Sequence, residues 1–198
     1  MSFDPALILS CLREVWVWRL GDNHLLGWSL TAGYGAAAVL AGVVAARAPF
    51  PGDTRLRERV FWVLVTLFLL FLMVNKQLNL QTTFTGTGRC VARAEGWYRA
   101  RRGVQEQFIL AMVWVLGTLG LIVLWWLRRA LVRNLFAVAG GAVLAGFIVI
   151  RAASMHQMDS ALRTEFLSLR AHRWIEVAGI TLMLIGAVLA LRRARRRR

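Results

Sequence analysis

The sequence predicts an all-α fold, a transmembrane helical bundle of five spans preceded by an N-terminal amphipathic interfacial helix. Of its 198 residues, 58% are hydrophobic and 18% are charged, whereas soluble domains carry about a quarter charged residues. The apolar residues fall in blocks of about 20, the length that a helix needs to cross about 30 Å of hydrocarbon. These blocks lack the two-residue alternation of barrel strands. The chain is therefore predicted to form a single membrane domain over residues 1–198.

The first predicted element is a helix over residues 5–20. Asp4 suits the N-cap, and Pro5 suits the first helical position because its missing N–H has no intrahelical partner there. Arg13 and Glu14 interrupt a short apolar stretch, which favours a helix in the head-group region, with insertion as the alternative. No basic region precedes the apolar stretch, which argues against a cleaved signal peptide.

Five later blocks are long enough to span a membrane, near residues 25–46, 59–78, 107–127, 134–153 and 174–191. Tryptophans near the block ends predict an interfacial aromatic belt. They are Trp28, Trp62, Trp125, Trp126 and Trp174. Small residues four apart in the first and fourth spans predict that these two helices form the packed centre. The bulky second and third spans would then face lipid or another subunit.

Five spans place the two termini on opposite sides of the membrane. Thirteen arginines lie in short segments at one set of span ends, whereas long loops on the other side carry twelve basic residues and eight of the ten acidic ones. Because short basic loops face the cytoplasm, we predict a bacterial inner-membrane protein with the C-terminus cytoplasmic and the N-terminus outside. Head groups and the insertion machinery account for this basic charge, so we infer no nucleic-acid binding.

Most of the remaining polar residues gather on the predicted non-cytoplasmic side and form a candidate ligand site. Its members are Asn75, Lys76, Asn79, Gln81, Arg89, Trp97, Tyr98, Arg101, Arg102, Arg151, Ser154, His156, Asp159 and Glu176. If the second span continues as a helix, Asn75 and Asn79 share one face, and amides at that depth need partners. Two interpretations are open, a polar pocket wall and an ordinary helix end with Lys76 reaching water.

The loop after the second span combines glycines, arginines and aromatic residues. A Gly-rich turn at residues 85–88, next to Arg89, suits a phosphate, but it lacks the Lys-Ser/Thr that closes a phosphate-binding loop. Arginine pairs bidentately with phosphate or carboxylate, and Trp97 and Tyr98 are suited to stack on a sugar or to lie in the interface. Ligand contact is therefore one of two interpretations of this loop.

The end of the fourth span and the start of the fifth add ionisable residues, for which three uses compete. On a continuing helix His156 and Asp159 are neighbours that would move a proton or join a metal site, although a zinc site needs about three or four ligands. Ser154 and His156 point to different sides of a helix, which argues against a catalytic relay. The third use is a structural network in which Arg151 pairs with Asp159 or Glu176.

The chain's two cysteines, Cys11 and Cys90, fall on the same predicted side. If that side is the oxidising periplasm, a disulfide would attach the interfacial helix to the long loop. The sequence does not measure their separation, so the pairing stays open at this point.

Three motifs are fairly specific as a set: Asn-Lys-Gln-Leu-x-Leu-Gln at residues 75–81, Gly-Trp-Tyr with paired Arg and Gln at 96–105, and Arg-Ala-x-Ser-x-His at 151–156. In these motifs the chain resembles an uncharacterised family of small polytopic bacterial inner-membrane proteins. The resemblance implies no established activity. Family members usually carry an acidic residue in place of Asn79 and a second His in place of Gln157. Both departures remove potential metal ligands from this chain.

The leading hypothesis is an inner-membrane protein with a polar, Arg-rich pocket on the non-cytoplasmic face. It would bind an anionic or amphiphilic ligand, such as a lipid head group or a lipid-linked sugar, and its partners would be membrane lipids. The alternative is an accessory or assembly subunit that contacts other membrane-protein subunits, and a metal-dependent membrane hydrolase comes third. The sequence assigns no catalytic residue and no metal site. It contains no redox-cofactor motif, and it leaves a pigment or haem bound by a single His open.

Overall fold

The computed structural model describes residues 4–16, 25–96, 98, 101–154 and 165–195. Within these ranges the chain is entirely helical, with no strand. The seven helices are α1 (Pro5–Val15), α2 (Leu25–Arg47), α3 (Arg55–Leu78), α4 (Leu80–Ala94), α5 (Arg101–Leu127), α6 (Leu131–Ser154) and α7 (Glu165–Arg195). Five helices, α2, α3, α5, α6 and α7, are long and apolar enough to cross a membrane. The predicted helical bundle is confirmed, and the chain is a multi-pass membrane protein.

Helix α1 begins as its capping residues predict. The Asp4 carboxylate accepts a hydrogen bond from the Ala6 backbone N–H at 3.0 Å, and Pro5 occupies the first turn. The helix ends at Val15 and has 11 residues, so it covers about 16 Å, about half of the hydrocarbon thickness. It therefore does not span as an α-helix over its described length, and residues 17–24 lie outside the described part of the chain.

The bundle is built from two antiparallel helix hairpins, α2–α3 and α6–α7. Helix α2 packs along α7. The four helices of the two hairpins share one core, to which each contributes a buried residue: Tyr34, Leu69, Leu144 and Met183. The helix directions place the N-termini of α2 and α7, together with α1 and α4, at one end, which we call the disulfide end. The opposite end holds the N-termini of α3 and α6 and the C-terminus of α7, and we call it the arginine end.

Small residues decide how closely the second hairpin packs. A Cβ at Gly140 of α6 would lie 2.9 Å from the Gly179 carbonyl oxygen and 3.0 Å from the Met183 backbone nitrogen of α7. Contact at that distance leaves no room for a side chain, so the two backbones touch. The small residues of α6 thus allow close contact with α7, and those of α2 allow close contact with α3 and α7. The prediction that the first and fourth spans form the central pair is therefore wrong.

Helices α3 and α5 differ in how many of their side chains are buried in the core. The prediction that both face lipid holds for only one side of α3, because Trp62 and Leu69 are fully buried in the core whereas Leu67 and Phe71 are exposed. Trp62 therefore does not belong to the interfacial belt, whereas Trp28, Trp125 and Trp174 are exposed. For α5 the prediction is confirmed, since Leu127 at its C-terminal end is the one described side chain of this helix that is buried.

The helix axis changes direction between α3 and α4. Asn79 adopts a left-handed conformation, with φ 48° and ψ 38°, which Asn tolerates better than most residues. Helix α3 therefore does not continue through residue 79, and the expectation that Asn75 and Asn79 share one helix face is wrong. The expected loop after it is a helix, and residues 85–88 are helical rather than a turn. Their backbone amides belong to a helix interior and cannot form a phosphate-binding turn.

A disulfide joins α1 to α4. Cys11 and Cys90 are bonded, with their Cα atoms 5.7 Å apart and a sequence separation of 79 positions. Gly86, one turn before Cys90, allows the close approach, because a Cβ there would lie 2.5 Å from Cγ1 of Val15. Helix α1 packs mainly on α4, so the disulfide and this contact attach α1 to the rest of the protein.

Candidate functional site

At the disulfide end, a buried ion pair connects the two hairpins. The Lys76 Nζ, in the last turn of α3, donates to both carboxylate oxygens of Glu176 on α7, at 3.0 and 3.2 Å. Only 7% of the Lys76 side chain and 6% of the Glu176 side chain are exposed. The alternative in which Lys76 reaches water is therefore wrong. The structural-network interpretation holds for Glu176, but its cation is Lys76.

Beside this pair, a hydrogen-bond chain fixes the amide of Gln77. The Thr31 hydroxyl on α2 donates to the Gly27 carbonyl oxygen at 3.0 Å, so a lone pair of its oxygen accepts the Gln77 Nε2–H at 2.8 Å. Nε2 is thus the amide atom that faces Thr31 in this hydrogen-bond chain. Its other atom, Oε1, is buried and has no hydrogen-bond partner in the described part of the chain.

A second unsatisfied group lies on α4. The Thr87 side chain is buried, at 9% exposure, and its hydroxyl finds no partner among the described residues. Thr87 follows Gly86, which packs on α1, and precedes Cys90 by one turn, so it lies on the covered side of α4. Buried polar groups in proteins are nearly always hydrogen-bonded. The disulfide end thus presents two buried polar atoms without a partner among the described residues.

The structure describes the side chains of six predicted site residues and brings two of them, Lys76 and Glu176, into contact. Arg89 is exposed on α4, and Tyr98 lies against the guanidinium of Arg93, 5.0 Å from the ring centre. Asn75 and Asn79 are half-buried. The remaining side chains lie outside the described part of the chain: Gln81, Trp97, Arg101, Arg102, Arg151, Ser154, His156 and Asp159. Their roles stay predictions.

The described residues contain no group of three or more His, Cys, Asp or Glu side chains that suits a metal ion. The side chains of His24, His156 and His172 all lie outside the described part. The metal and hydrolase hypotheses are therefore untested by the structure.

At the arginine end, a second buried polar cluster surrounds Glu58 of α3. One carboxylate oxygen, Oε1, accepts from the Thr54 hydroxyl and from Arg133 Nη2, both at 2.7 Å. The other, Oε2, accepts from Asn134 Nδ2 at 2.9 Å. Glu58 is only 1% exposed, so three donors replace the water that would otherwise solvate its charge. Helix α6 is thereby connected to the first turn of α3.

Asn134 is held in one orientation by its other contacts. Its Oδ1 accepts from the Trp62 indole N–H at 2.9 Å, and its Nδ2 also donates to the Ala130 carbonyl oxygen at 3.0 Å. The guanidinium of Arg193, near the end of α7, donates to the Arg133 carbonyl oxygen at 2.9 Å. The cluster therefore joins α3, α6 and α7.

This cluster was not predicted from the sequence, because the surrounding arginines are equally explained by membrane orientation. Two signals were present. Glu58 is an acid within an otherwise basic segment at the start of a span, and Asn134 is an amide at the start of another. Ionisable or amide groups at membrane depth need hydrogen-bond partners. Glu58 and Asn134 are partners of each other.

The two clusters lie at opposite boundaries of the membrane. Lys76 follows Glu58 by 18 residues along α3, which corresponds to about 27 Å of helix. This distance is close to the hydrocarbon thickness of about 30 Å. Polar groups thus connect the two hairpins at both water boundaries, with apolar packing between them.

Comparison of the chain with protein-family models, with curated proteins and with solved structures finds no match. The resemblance in the three sequence motifs therefore stays a prediction, and the function is argued from the two clusters themselves.

Proposed function

We propose that the protein binds the hydroxyl-bearing head group of a membrane amphiphile, such as a glycerol or sugar head group, at the disulfide end. The observation that carries the proposal is the buried Gln77 Oε1, which lacks a donor among the described residues while Nε2 of the same amide contacts Thr31. A ligand hydroxyl would supply that donor. The unsatisfied Thr87 hydroxyl supports the same ligand chemistry, because it pairs equally well with another hydroxyl.

The charges at this end favour a neutral group in the buried part of the site. The Lys76 charge is neutralised by Glu176, and an ionised phosphodiester offers only acceptors, so it cannot satisfy a carbonyl oxygen. An anionic part of the ligand would instead meet the exposed Arg89 and Arg93 on α4. This division suits a lipid head group or a lipid-linked sugar, with hydroxyls inside and phosphate at the surface.

We also propose that the disulfide end is non-cytoplasmic and the arginine end cytoplasmic. Disulfides persist in oxidising compartments such as the periplasm, and dense short basic segments stay in the cytoplasm. The two arguments are independent, since one rests on Cys11 and Cys90 and the other on the arginines, and they give the same orientation.

The orientation and the disulfide make a joint prediction. In denatured protein, maleimide–polyethylene glycol is expected to label Cys11 and Cys90 only after reduction, giving two additions per chain, and the Cys11→Ser/Cys90→Ser variant should take none. Green fluorescent protein fused after Arg198 is expected to fluoresce, and alkaline phosphatase fused there is expected to be inactive. Labelling without reductant would contradict the disulfide, and the reverse fusion pattern would contradict the orientation.

The ligand proposal is tested with two lipids of equal charge. Phosphatidylglycerol has free hydroxyls on its head group, and phosphatidylmethanol has none. In lipid nanodiscs, native mass spectrometry is expected to show several-fold tighter binding of phosphatidylglycerol, because one hydrogen bond contributes about 0.5–1.5 kcal/mol. Gln77→Leu removes the unsatisfied acceptor and is expected to abolish this difference.

Gln107→Leu is the matched control, since Gln107 is exposed near the start of α5. This variant should retain the preference for phosphatidylglycerol. Equal binding of both lipids to the wild type, or the same loss in both variants, would contradict the proposal. Thermal unfolding of each variant is measured alongside, so that a change in preference is separated from a change in stability.

The second candidate, an accessory subunit, is favoured by one observation on α5. This helix contacts the rest of the bundle mainly through α6, and it exposes large side chains such as Trp114, Leu121 and Trp125. A photo-crosslinking amino acid at position 114 distinguishes the two functions. Cross-links to a single stoichiometric membrane protein would favour the subunit role, whereas cross-links to lipid alone would count against it.

A further inference from the structure

Two arginines at the arginine end carry buried donors without an acceptor. The Nε atoms of Arg59 on α3 and Arg133 on α6 are buried, and neither has a hydrogen-bond partner in the described ranges. Both residues flank Glu58, since Arg59 follows it in sequence and Arg133 pairs with it at 2.7 Å. A guanidinium group has five donors and no acceptor, so only an oxygen from outside these residues can satisfy the two N–H groups.

Acidic side chains at this end are too few to supply that oxygen. The segments at the arginine end contain thirteen arginines but only two acids, Asp53 and Glu58. Both oxygens of Glu58 are already used by Thr54, Arg133 and Asn134. The local charge therefore remains strongly positive after the internal ion pair forms, which attracts anionic groups.

The neighbours of the two arginines identify the kind of anion. Val63 lies one turn beyond Arg59 on α3, Phe136 lies one turn beyond Arg133 on α6, and both are exposed large apolar side chains. Each helix thus presents a guanidinium at the membrane boundary followed by an apolar surface one turn deeper. A phospholipid has the same order along its length, a phosphodiester followed by acyl chains.

We propose that Arg59 and Arg133 form a binding site for the phosphodiester of an anionic phospholipid in the leaflet at the arginine end. The Nε–H groups donate to the phosphate oxygens, because guanidinium groups bind phosphate through charge-assisted hydrogen bonds. The acyl chains lie against the face that includes Val63 and Phe136. This site is separate from the one at the disulfide end, and it requires phosphate oxygens rather than hydroxyls.

The test uses phosphatidylmethanol, which provides a phosphodiester without hydroxyls, added in increasing amount to phosphatidylcholine nanodiscs that hold the full chain. Native mass spectrometry measures its binding. Arg59→Gln is expected to weaken binding about tenfold, which corresponds to about 1.4 kcal/mol. Arg55→Gln is the control, because it removes the same charge from an exposed position in the first turn of α3, and its binding should stay near that of the wild type.

Three results would overturn the proposal. Equal weakening by the two variants would mean that diffuse charge attracts the lipid. Unchanged binding in both variants would mean that Arg59 does not contact the phosphate. Inorganic phosphate that displaces the lipid completely would mean that the site binds free phosphate. A Cys11–Cys90 disulfide that forms normally in each variant shows that a change in binding is not caused by misfolding.

Discussion

Replacing Glu58 by Ala is expected to lower the free energy of unfolding by about 3 kcal/mol, which makes it one of the two most damaging single substitutions that we predict. The change removes the carboxylate that accepts from Arg133 and Asn134, and it leaves them the Thr54 hydroxyl and the Ala130 carbonyl oxygen as acceptors. Loss of one partner of a buried ion pair costs about 3–5 kcal/mol. We expect the lower end of this range, because the Arg133 side chain keeps 33% of its surface exposed. The measurement is unfolding in mild detergent.

Glu58→Gln separates charge from hydrogen bonding in the same cluster. In either orientation the Gln amide would direct its N–H donors at Asn134 Nδ2 or at Arg133 Nη2, and Asn134 cannot turn because Trp62 and Ala130 hold its two ends. We therefore expect Glu58→Gln to be destabilising as well. Glu106→Ala is the control, because Glu106 is exposed on α5. Unfolding of Glu58→Ala at the same midpoint as the wild type would show that the cluster does not stabilise the bundle.

Replacing Lys76 by Met is expected to have a comparable effect, about 3–5 kcal/mol, at the disulfide end. The variant leaves the Glu176 carboxylate buried, at 6% exposure, without its cation. The double variant Lys76→Met/Glu176→Leu is expected to recover most of the loss, since apolar residues of similar volume often replace a buried pair without cost. A double-mutant cycle of unfolding free energies measures the coupling between the two side chains.

Arg173→Met serves as the control for the second pair. It removes a cation from α7 close to Glu176 but from an exposed position, so its unfolding should match that of the wild type. If the double variant is no more stable than Lys76→Met, the damage arises from lost packing around Lys76 rather than from the uncompensated carboxylate. That outcome would contradict the assigned role of the ion pair.

The two clusters explain how the hairpins stay together. Backbone packing is close within α6–α7, where Gly140 meets Gly179. Between the hairpins, α2 packs along α7. Polar side chains of α3 contact α7 at the disulfide end and α6 at the arginine end. A lipid bound by Arg59 of α3 and Arg133 of α6 would therefore contact both hairpins. We expect bound lipid to stabilise the bundle by mass action in proportion to its affinity.

The described helices follow from the sequence because their determinants are local. Apolar blocks of about 20 residues have one stable form in lipid, since only a helix satisfies its backbone within a single segment. The start of α1 was likewise predictable from Asp4 and Pro5, whose capping contacts involve adjacent residues. The side shared by Cys11 and Cys90 also followed, because the number of spans fixes it.

Unlike the helices, the pairing between residues that are distant in sequence is not determined locally. Lys76 and Glu176 are 100 residues apart, and the sequence offered several cations for Glu176, of which only the packing of α3 near α7 selects one. The break at Asn79 was missed for a related reason. Asn is compatible with both a continuing helix and a left-handed residue, and the contact of α4 with α1 decides between them.

The sequence alone therefore determined the membrane class and the number of spans, and it placed Lys76, Glu176 and the two cysteines at one end, since hydrophobicity and chain length set these properties segment by segment. Only the tertiary structure decided which polar groups are satisfied internally and which are not. Burial removes water from every group, but it supplies partners only where helix positions bring them within hydrogen-bond distance. Gln77, Arg59 and Arg133 retain unpaired atoms for this reason, and both proposed ligand sites rest on them.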